Sequence, residues 1–185
     1  MSTKKKIILL IVLLSYFVTA IDSSIVITGL TKISEDLSLT QTALSWVQNA
    51  YVLAFGGFIL LGGKLGDVFG RKRVLNAALL IFGISSAVAG AAWSPAIMII
   101  ARLMQGVGAA ILAPTSLALL MDTFEGDELV NAVAWYSSIS GLGSSIGLII
   151  GGYLASYMSW RTGFYINVPI TLIMLILSIK VALHQ

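Results

Sequence analysis

The chain has 185 residues, of which 58% are hydrophobic and only 10% are charged, and its mean hydropathy is +0.98. This is far more apolar than the core of a soluble domain requires, so the composition indicates a membrane protein. Cysteine is absent, which excludes disulfide bonds and thiolate metal sites. The net charge of +3 is informative through its distribution among the loops.

Long apolar segments follow one another along almost the whole chain, and about 20 apolar residues are enough to cross a bilayer as a helix. Trp93-Ser94-Pro95 divides the longest of them, because proline cannot continue a helix from the preceding residue. The predicted helices lie near residues 6–30, 43–65, 74–92, 96–121, 129–157 and 161–183. We therefore expect an all-α membrane protein in which residues 1–185 form a single six-helix transmembrane unit.

The basic residues predict the orientation of this unit. A cytoplasmic N-terminus puts most of them inside, namely Lys4, Lys5, Lys6, Lys64, Arg71, Lys72, Arg73 and Lys180, and leaves only Lys32 and Arg161 outside. The positive-inside rule then predicts that both termini are cytoplasmic. The first residues also resemble a signal peptide that ends at Val18-Thr19-Ala20, but the apolar character continues to Leu30, which favours a full span.

The stretch GGKLGDVFGRKRVL, residues 62–75, superficially resembles a phosphate-binding loop. Its glycines do not have the G-x-x-x-x-G-K-[ST] spacing, and an apolar helix rather than a strand precedes it, so nucleotide binding is not expected. The simplest interpretation is an ordinary basic loop on the cytoplasmic side. Asp67 and Arg71 are four residues apart and pair if the turn is helical, and Asp122 is expected at the same membrane face, so a charge latch is the alternative.

Two charged residues lie inside predicted spans, which is costly and marks paired or functional groups. Asp22 is about 12 Å from the outer end of the first helix, and Arg102 is about 9 Å from that of the fourth. Their similar depth predicts an ion pair. Such a pair can be purely structural. It can also couple transport to protons or cations, because protonation of the carboxylate would release the arginine.

Small residues recur every four positions in the fifth predicted helix, at Gly143, Gly147, Gly151 and Ala155, and Gly152 follows the third of them. Such a stripe allows another helix to approach closely. We therefore expect Gly143, Gly147, Gly151 and Gly152 to form a helix-packing motif.

Several of these stretches resemble motifs of the major facilitator superfamily. Residues 63–75 resemble the family's signature loop between helices 2 and 3, and Arg102-x-x-Gln105-Gly106-x-Gly108 resembles its helix 4 motif. Residues 21–26 and 143–152 resemble the helix 1 and helix 5 motifs of its fourteen-helix drug:proton antiporter branch. Leu148 stands where the helix 5 motif usually has proline, which puts any role of that proline in doubt here.

The resemblance implies the N-terminal six-helix half of the fold and a role for each candidate site. Asp22 and Arg102 would couple transport to protons. Asp67, Arg71 and Asp122 would form the conformational latch. Trp46, Asn49 and Gln105 are candidates for the substrate cavity.

The function expected from the resemblance is that of a half-size secondary transporter in the bacterial cytoplasmic membrane. A parallel homodimer would export amphipathic or cationic organic compounds, coupled to protons, by alternating access. The alternatives to the homodimer are a heterodimer with another half-length chain and a fragment of a full-length exporter, and the alternative to transport is a non-transporting membrane assembly subunit. The chain carries no H-E-x-x-H or nucleophile-elbow signature, and His184 is its sole histidine, a solvated tail residue. We therefore expect no enzyme activity, cofactor, metal or nucleic-acid partner.

Overall fold

The computed structural model describes residues 2–183, so the predicted solvated position of His184 lies outside the described residues. Its helices are α1 (Thr3–Asp36), α2 (Gln41–Phe69), α3 (Arg71–Gly90), α4 (Pro95–Thr123), α5 (Gly126–Tyr157) and α6 (Trp160–Leu183). All six are long and apolar enough to cross a membrane, and residues 2–183 contain no strand. The predicted all-α architecture with six spans is confirmed, and the membrane orientation stays a prediction.

The first helix continues past its predicted end near residue 30 to Asp36. Ile33, in the added turns, is fully buried, and the Trp160 indole Nε1 donates a hydrogen bond to Asp36 Oδ2 at 2.7 Å. Contact with α6 therefore prolongs the helix beyond the apolar run that was visible in the sequence.

The predicted break between the third and fourth helices is confirmed. α3 ends at Gly90 and α4 begins at Pro95, where the missing proline N–H costs nothing because the first helical N–H groups have no partner within the helix. Ser94 caps α4, since its hydroxyl oxygen accepts a hydrogen bond from the Ile97 N–H at 3.4 Å.

The connection between α2 and α3 is a single residue, Gly70, with φ of +90°. Side chains other than glycine rarely adopt this conformation, which explains the residue type. Gly62 and Gly66 of the same stretch lie within α2 and take no part in the turn. Gly62 instead lets α2 approach the backbone of α4 at Ala110.

The helices pack mainly against partners distant in the sequence. α4 lies against both α2 and α3, while α1 lies against α5 and α6, and α3 also packs on α6. This arrangement brings α1 and α4, the two helices with buried charges, into contact at the centre of the bundle.

The small-residue stripe of α5 faces α1. A side chain at Gly143 would meet Ala20, one at Gly147 would meet Ser24, and one at Gly151 would meet Thr28. Gly152 has open space beside it, so the structure does not include it in this contact. The reason is geometric, because residues four apart share a helix face whereas adjacent residues point about 100° apart.

Candidate functional site

A buried ion pair joins α1 to α4. Asp22 and Arg102 are 1% and 2% exposed, and Arg102 Nη1 donates to Asp22 Oδ2 at 2.7 Å. Arg102 also donates from Nη1 to Gln105 Oε1 at 2.8 Å and from Nε to the Val47 carbonyl at 3.2 Å. The structure thus brings together the two charged residues that the sequence placed at similar depth.

The second oxygen of the Asp22 carboxylate is held by two amides. Oδ1 accepts hydrogen bonds from Gln105 Nε2 at 3.0 Å and from Asn167 Nδ2 at 2.9 Å. The same amide groups donate to the Ser86 hydroxyl at 3.0 and 2.8 Å, and this hydroxyl donates to the Phe164 carbonyl at 3.0 Å. Burial of a charge is tolerated when partners satisfy it, and here the carboxylate's partners come from α4 and α6, while Ser86 of α3 holds the two amides.

The aromatic ring of Tyr51 covers the guanidinium group. Arg102 Cζ lies 4.4 Å from the centroid of this ring, within the range of a cation–π interaction, and 6.0 Å from that of Phe164. Tyr51 in turn stacks on Phe55 with 6.3 Å between ring centroids. The pair is thereby enclosed by rings as well as by hydrogen bonds.

A cavity of about 450 Å³ opens between α1, α2, α4 and α5. Its described lining combines hydroxyl groups, aromatic rings and aliphatic side chains without a charged one: Ser15, Tyr16, Thr19, Ala20, Ser23, Ser24, Ile27, Tyr51, Phe55, Ala113, Ser116, Tyr136, Ser144 and Leu148. Tyr16 and Tyr136 meet edge to face across it, with ring centroids 5.1 Å apart. A pocket of this size and lining suits a small amphipathic molecule.

The three residues predicted to line a substrate cavity do not line this one. Gln105 is fully buried and its amide is committed to Asp22 and Ser86, because the buried carboxylate requires donors. Trp46 is 44% exposed, and Asn49 is also exposed on α2. Tyr51 and Phe55, further along the same helix, line the cavity in their place.

The latch residues lie together at the end of the bundle that carries Gly70. Arg71 Nη2 is 2.7 Å from Asp67 Oδ1, and Arg71 Nε donates to Asp122 Oδ2 at 3.0 Å. The first pair forms across the break at Gly70, so the helical turn that the sequence argument required is not needed. One arginine therefore connects the ends of α2 and α4.

The family model of the Major Facilitator Superfamily matches residues 12–183 of the chain. The chain belongs to the major facilitator superfamily. The Mycobacterium tuberculosis protein named uncharacterized MFS-type transporter EfpA is 47% identical over 89% of the chain and 31% of its own length. Puromycin resistance protein pur8 of Streptomyces alboniger is 40% identical over 91% of the chain and 34% of its own length. The chain thus spans about a third of the curated relatives it matches.

Solved structures of the superfamily show the same fold. A bacterial homologue of the human lysosomal transporter Spinster matches with a TM-score of 0.78 at 17% identity, over 100% of the chain and 44% of the neighbour. The proton:xylose symporter XylE matches with a TM-score of 0.77 at 18% identity, over 97% of the chain and 45% of the neighbour. The resemblance to the N-terminal half of the major facilitator fold is therefore confirmed. The chain has six helices long and apolar enough to span a membrane, and its relatives in this superfamily are bacterial. It is therefore a multi-pass protein of the bacterial cell membrane.

Two residues of the polar network around the ion pair, Ser86 and Asn167, were not identified from the sequence. Ser86 lies in an apolar run of α3 where one hydroxyl carries no distinct signal. Asn167 lies in the first half of the apolar α6, and only the tertiary structure brings its amide to Asp22. A polar side chain within a membrane span is the one signal that marks both in advance.

Proposed function

We propose that the chain is a half-size secondary transporter, a six-helix unit that exports amphipathic or cationic organic compounds in exchange for protons as a dimer. The observation that carries this proposal is the buried Asp22–Arg102 pair close to an uncharged cavity between membrane helices. Related proteins with the names cephamycin export protein CmcT and multidrug transporter protein MdtP, 36% and 33% identical, support export as the direction. The names of these relatives and the superfamily membership support a transporter rather than an enzyme.

Protonation of Asp22 is the proposed coupling step. A proton on the carboxylate removes its charge, so that Arg102 loses the counter-ion 2.7 Å away and retains only neutral partners. An unpaired charge in the membrane is costly, which favours a rearrangement of α4 against α1. The return of the proton to water restores the pair and the first conformation.

Tyr51 provides the proposed connection between this step and the substrate. Its ring lies over the Arg102 guanidinium, and it also lines the cavity. A shift of Arg102 would therefore change the cavity wall. Substrate release would follow protonation because both events move the same aromatic ring.

The cavity is open on the side of the unit between α1, α2, α4 and α5. A second unit, related by an axis along the membrane normal, would close it in a transporter of this superfamily. We propose that a second copy supplies it in a parallel homodimer, with the Arg71 contacts to Asp67 and Asp122 acting as the latch between conformations. Crosslinking and mass measurement of the solubilised protein test this, and an active monomer excludes it.

Flux in proteoliposomes tests the export proposal. The protein is reconstituted and the uptake of a fluorescent organic cation is followed with and without an imposed pH gradient, with protein-free liposomes as the control. Gradient-dependent flux supports the proposal. Its absence across a broad panel of compounds contradicts it and favours a non-transporting assembly subunit.

A further inference from the structure

A second cavity, of about 800 Å³, lies at the end of the bundle that carries the α2–α3 connection. We define it as the basic cavity by its lining, which joins four cations and two carboxylates to an apolar wall: Lys4, Ile8, Ile11, Asp67, Val68, Phe69, Gly70, Arg71, Lys72, Arg73, Leu75, Leu119, Asp122, Thr123, Ser178 and Val181. Both carboxylates contact Arg71. The charges of Lys4, Lys72 and Arg73 are therefore left without a carboxylate partner among residues 2–183.

Two buried polar atoms in the basic cavity have no hydrogen-bond partner among the described residues, Lys72 Nζ and Ser178 Oγ. Ser178 is 1% exposed, and its hydroxyl does not bond to its own helix, unlike those of Ser15 and Ser24 in α1. Buried donors of this kind are rare, because each lost hydrogen bond to water costs free energy. Both residues line the same cavity, so an acceptor bound there would supply the hydrogen bonds that the described residues do not.

The first turn of α3 adds a third group of donors. The helix begins at Arg71, and no side chain caps its N-terminus. Its first N–H groups and the positive end of the helix dipole favour an anion at this point. Three features of the basic cavity therefore favour an anionic ligand: the cations without a carboxylate partner, the buried Ser178 hydroxyl without a hydrogen-bond partner, and the uncapped start of α3.

The position of the cavity and its apolar wall identify the source of that anion. α3 has 20 residues, about 30 Å at 1.5 Å per residue, which equals the thickness of the hydrocarbon layer. Its first turn consequently lies at the depth of the lipid headgroups. Ile8, Ile11 and Val181 offer an apolar surface beside the cations, which suits an acyl chain rather than a fully hydrated ion.

We propose that the basic cavity binds the phosphate group of an anionic phospholipid. Lys72 Nζ and Ser178 Oγ donate to the phosphate oxygens, the first turn of α3 adds backbone N–H groups, and Lys4 and Arg73 contribute charge. Basic pockets between membrane helices at the cytoplasmic surface are suited to such headgroups. Inorganic phosphate shares the same oxygen chemistry and is the alternative ligand that the experiment separates.

Native mass spectrometry of the detergent-purified protein tests the site, with phosphatidylglycerol and phosphatidylcholine added in parallel. We expect one retained phosphatidylglycerol per chain, and an affinity for it that falls about fivefold or more in Lys72→Gln. Ser178→Ala weakens retention as well, and Lys72→Arg preserves it. Lys180→Gln, which removes the same charge from an exposed position outside the cavity, is the matched control.

Three results would overturn the assignment. Equal losses in Lys72→Gln and Lys180→Gln would indicate general attraction of a basic surface for anionic lipid. Unchanged retention in both Lys72→Gln and Ser178→Ala would exclude the site. Displacement of phosphatidylglycerol by millimolar inorganic phosphate would show that the cavity takes the free ion, not the lipid.

Discussion

The guanidinium carbon of Arg102 lies 4.4 Å from the centroid of the Tyr51 ring, and that ring also forms part of the cavity between α1, α2, α4 and α5. One aromatic side chain therefore contacts the buried ion pair and the space proposed for substrate. Since aromatic rings stabilise a desolvated cation through their faces, the Tyr51 ring is expected to contribute to stability as well as to transport.

Two replacements of Tyr51 distinguish the contribution of its ring from that of its hydroxyl group. Tyr51→Leu removes the cation–π contact and is expected to destabilise the protein by about 2 kcal/mol or more, whereas Tyr51→Phe keeps the ring and costs less. Thermal unfolding in detergent measures both variants. Equal melting temperatures for the Leu and Phe variants would contradict the role of the ring face.

Asp22→Asn tests the proposed proton coupling. The amide cannot carry the charge that pairs with Arg102, so proton-driven flux in proteoliposomes is expected to fall to the level of protein-free liposomes while membrane insertion is retained. Stability falls by about 3–5 kcal/mol if no other group compensates the buried arginine. Unchanged flux with unchanged pH dependence would exclude the coupling role.

Two further variants keep the test of Asp22 interpretable. Asp22→Glu retains a carboxylate and is expected to keep gradient-dependent flux at a lower rate. Asp127→Asn removes an exposed carboxylate in the first turn of α5 and is expected to leave flux unchanged and to lower stability by about 1 kcal/mol or less, through the helix dipole alone. A folded Asp22→Glu protein without flux would show that the position of the carboxylate, and not only its presence, is required for transport.

Sequence reasoning located the six spans and the ion pair because both rest on strong physical penalties. An apolar run of sufficient length has no better solution than a membrane helix, and charges at similar depth in two spans reduce each other's cost. The contact of Asp22 with Arg102 follows from that argument. Its role in coupling stays a prediction.

The details that sequence reasoning could not supply depend on which helices pack together. The sequence predicts Gln105 in a substrate cavity, whereas in the structure its amide nitrogen donates to Asp22 of α1 and to Ser86 of α3. α1 ends at Asp36 rather than near residue 30, and Asp36 accepts a hydrogen bond from Trp160, which is 124 residues away in the chain. Neither outcome is encoded in a local pattern.

The contacts of Arg71 predict an effect on conformation that exceeds the effect on stability. Asp67 is 62% exposed and Asp122 55% exposed at the side chain, and ion pairs with exposed partners contribute about 1 kcal/mol or less. Asp67→Asn is therefore expected to lower flux several-fold and to change the melting temperature little. Lys64→Gln, an exposed charge change in the same helix, is the control, and a large loss of melting temperature in Asp67→Asn would indicate a structural role instead.

The contact of α5 with α1 offers a test in which two glycines of the same helix, Gly147 and Gly152, are expected to differ in their effect on stability. A Cβ atom at Gly147 would lie 2.9 Å from Ser24 Cβ and 3.1 Å from Ile21 Cα, so Gly147→Ala must separate the helices and is expected to cost about 1–3 kcal/mol. Gly152 has nothing within 4 Å, and Gly152→Ala is expected to be neutral or to stabilise by up to about 1 kcal/mol, because alanine favours the helix. Scanning fluorimetry in detergent compares the two. A similar melting temperature for both variants would mean that α5 does not approach α1 this closely in the membrane protein.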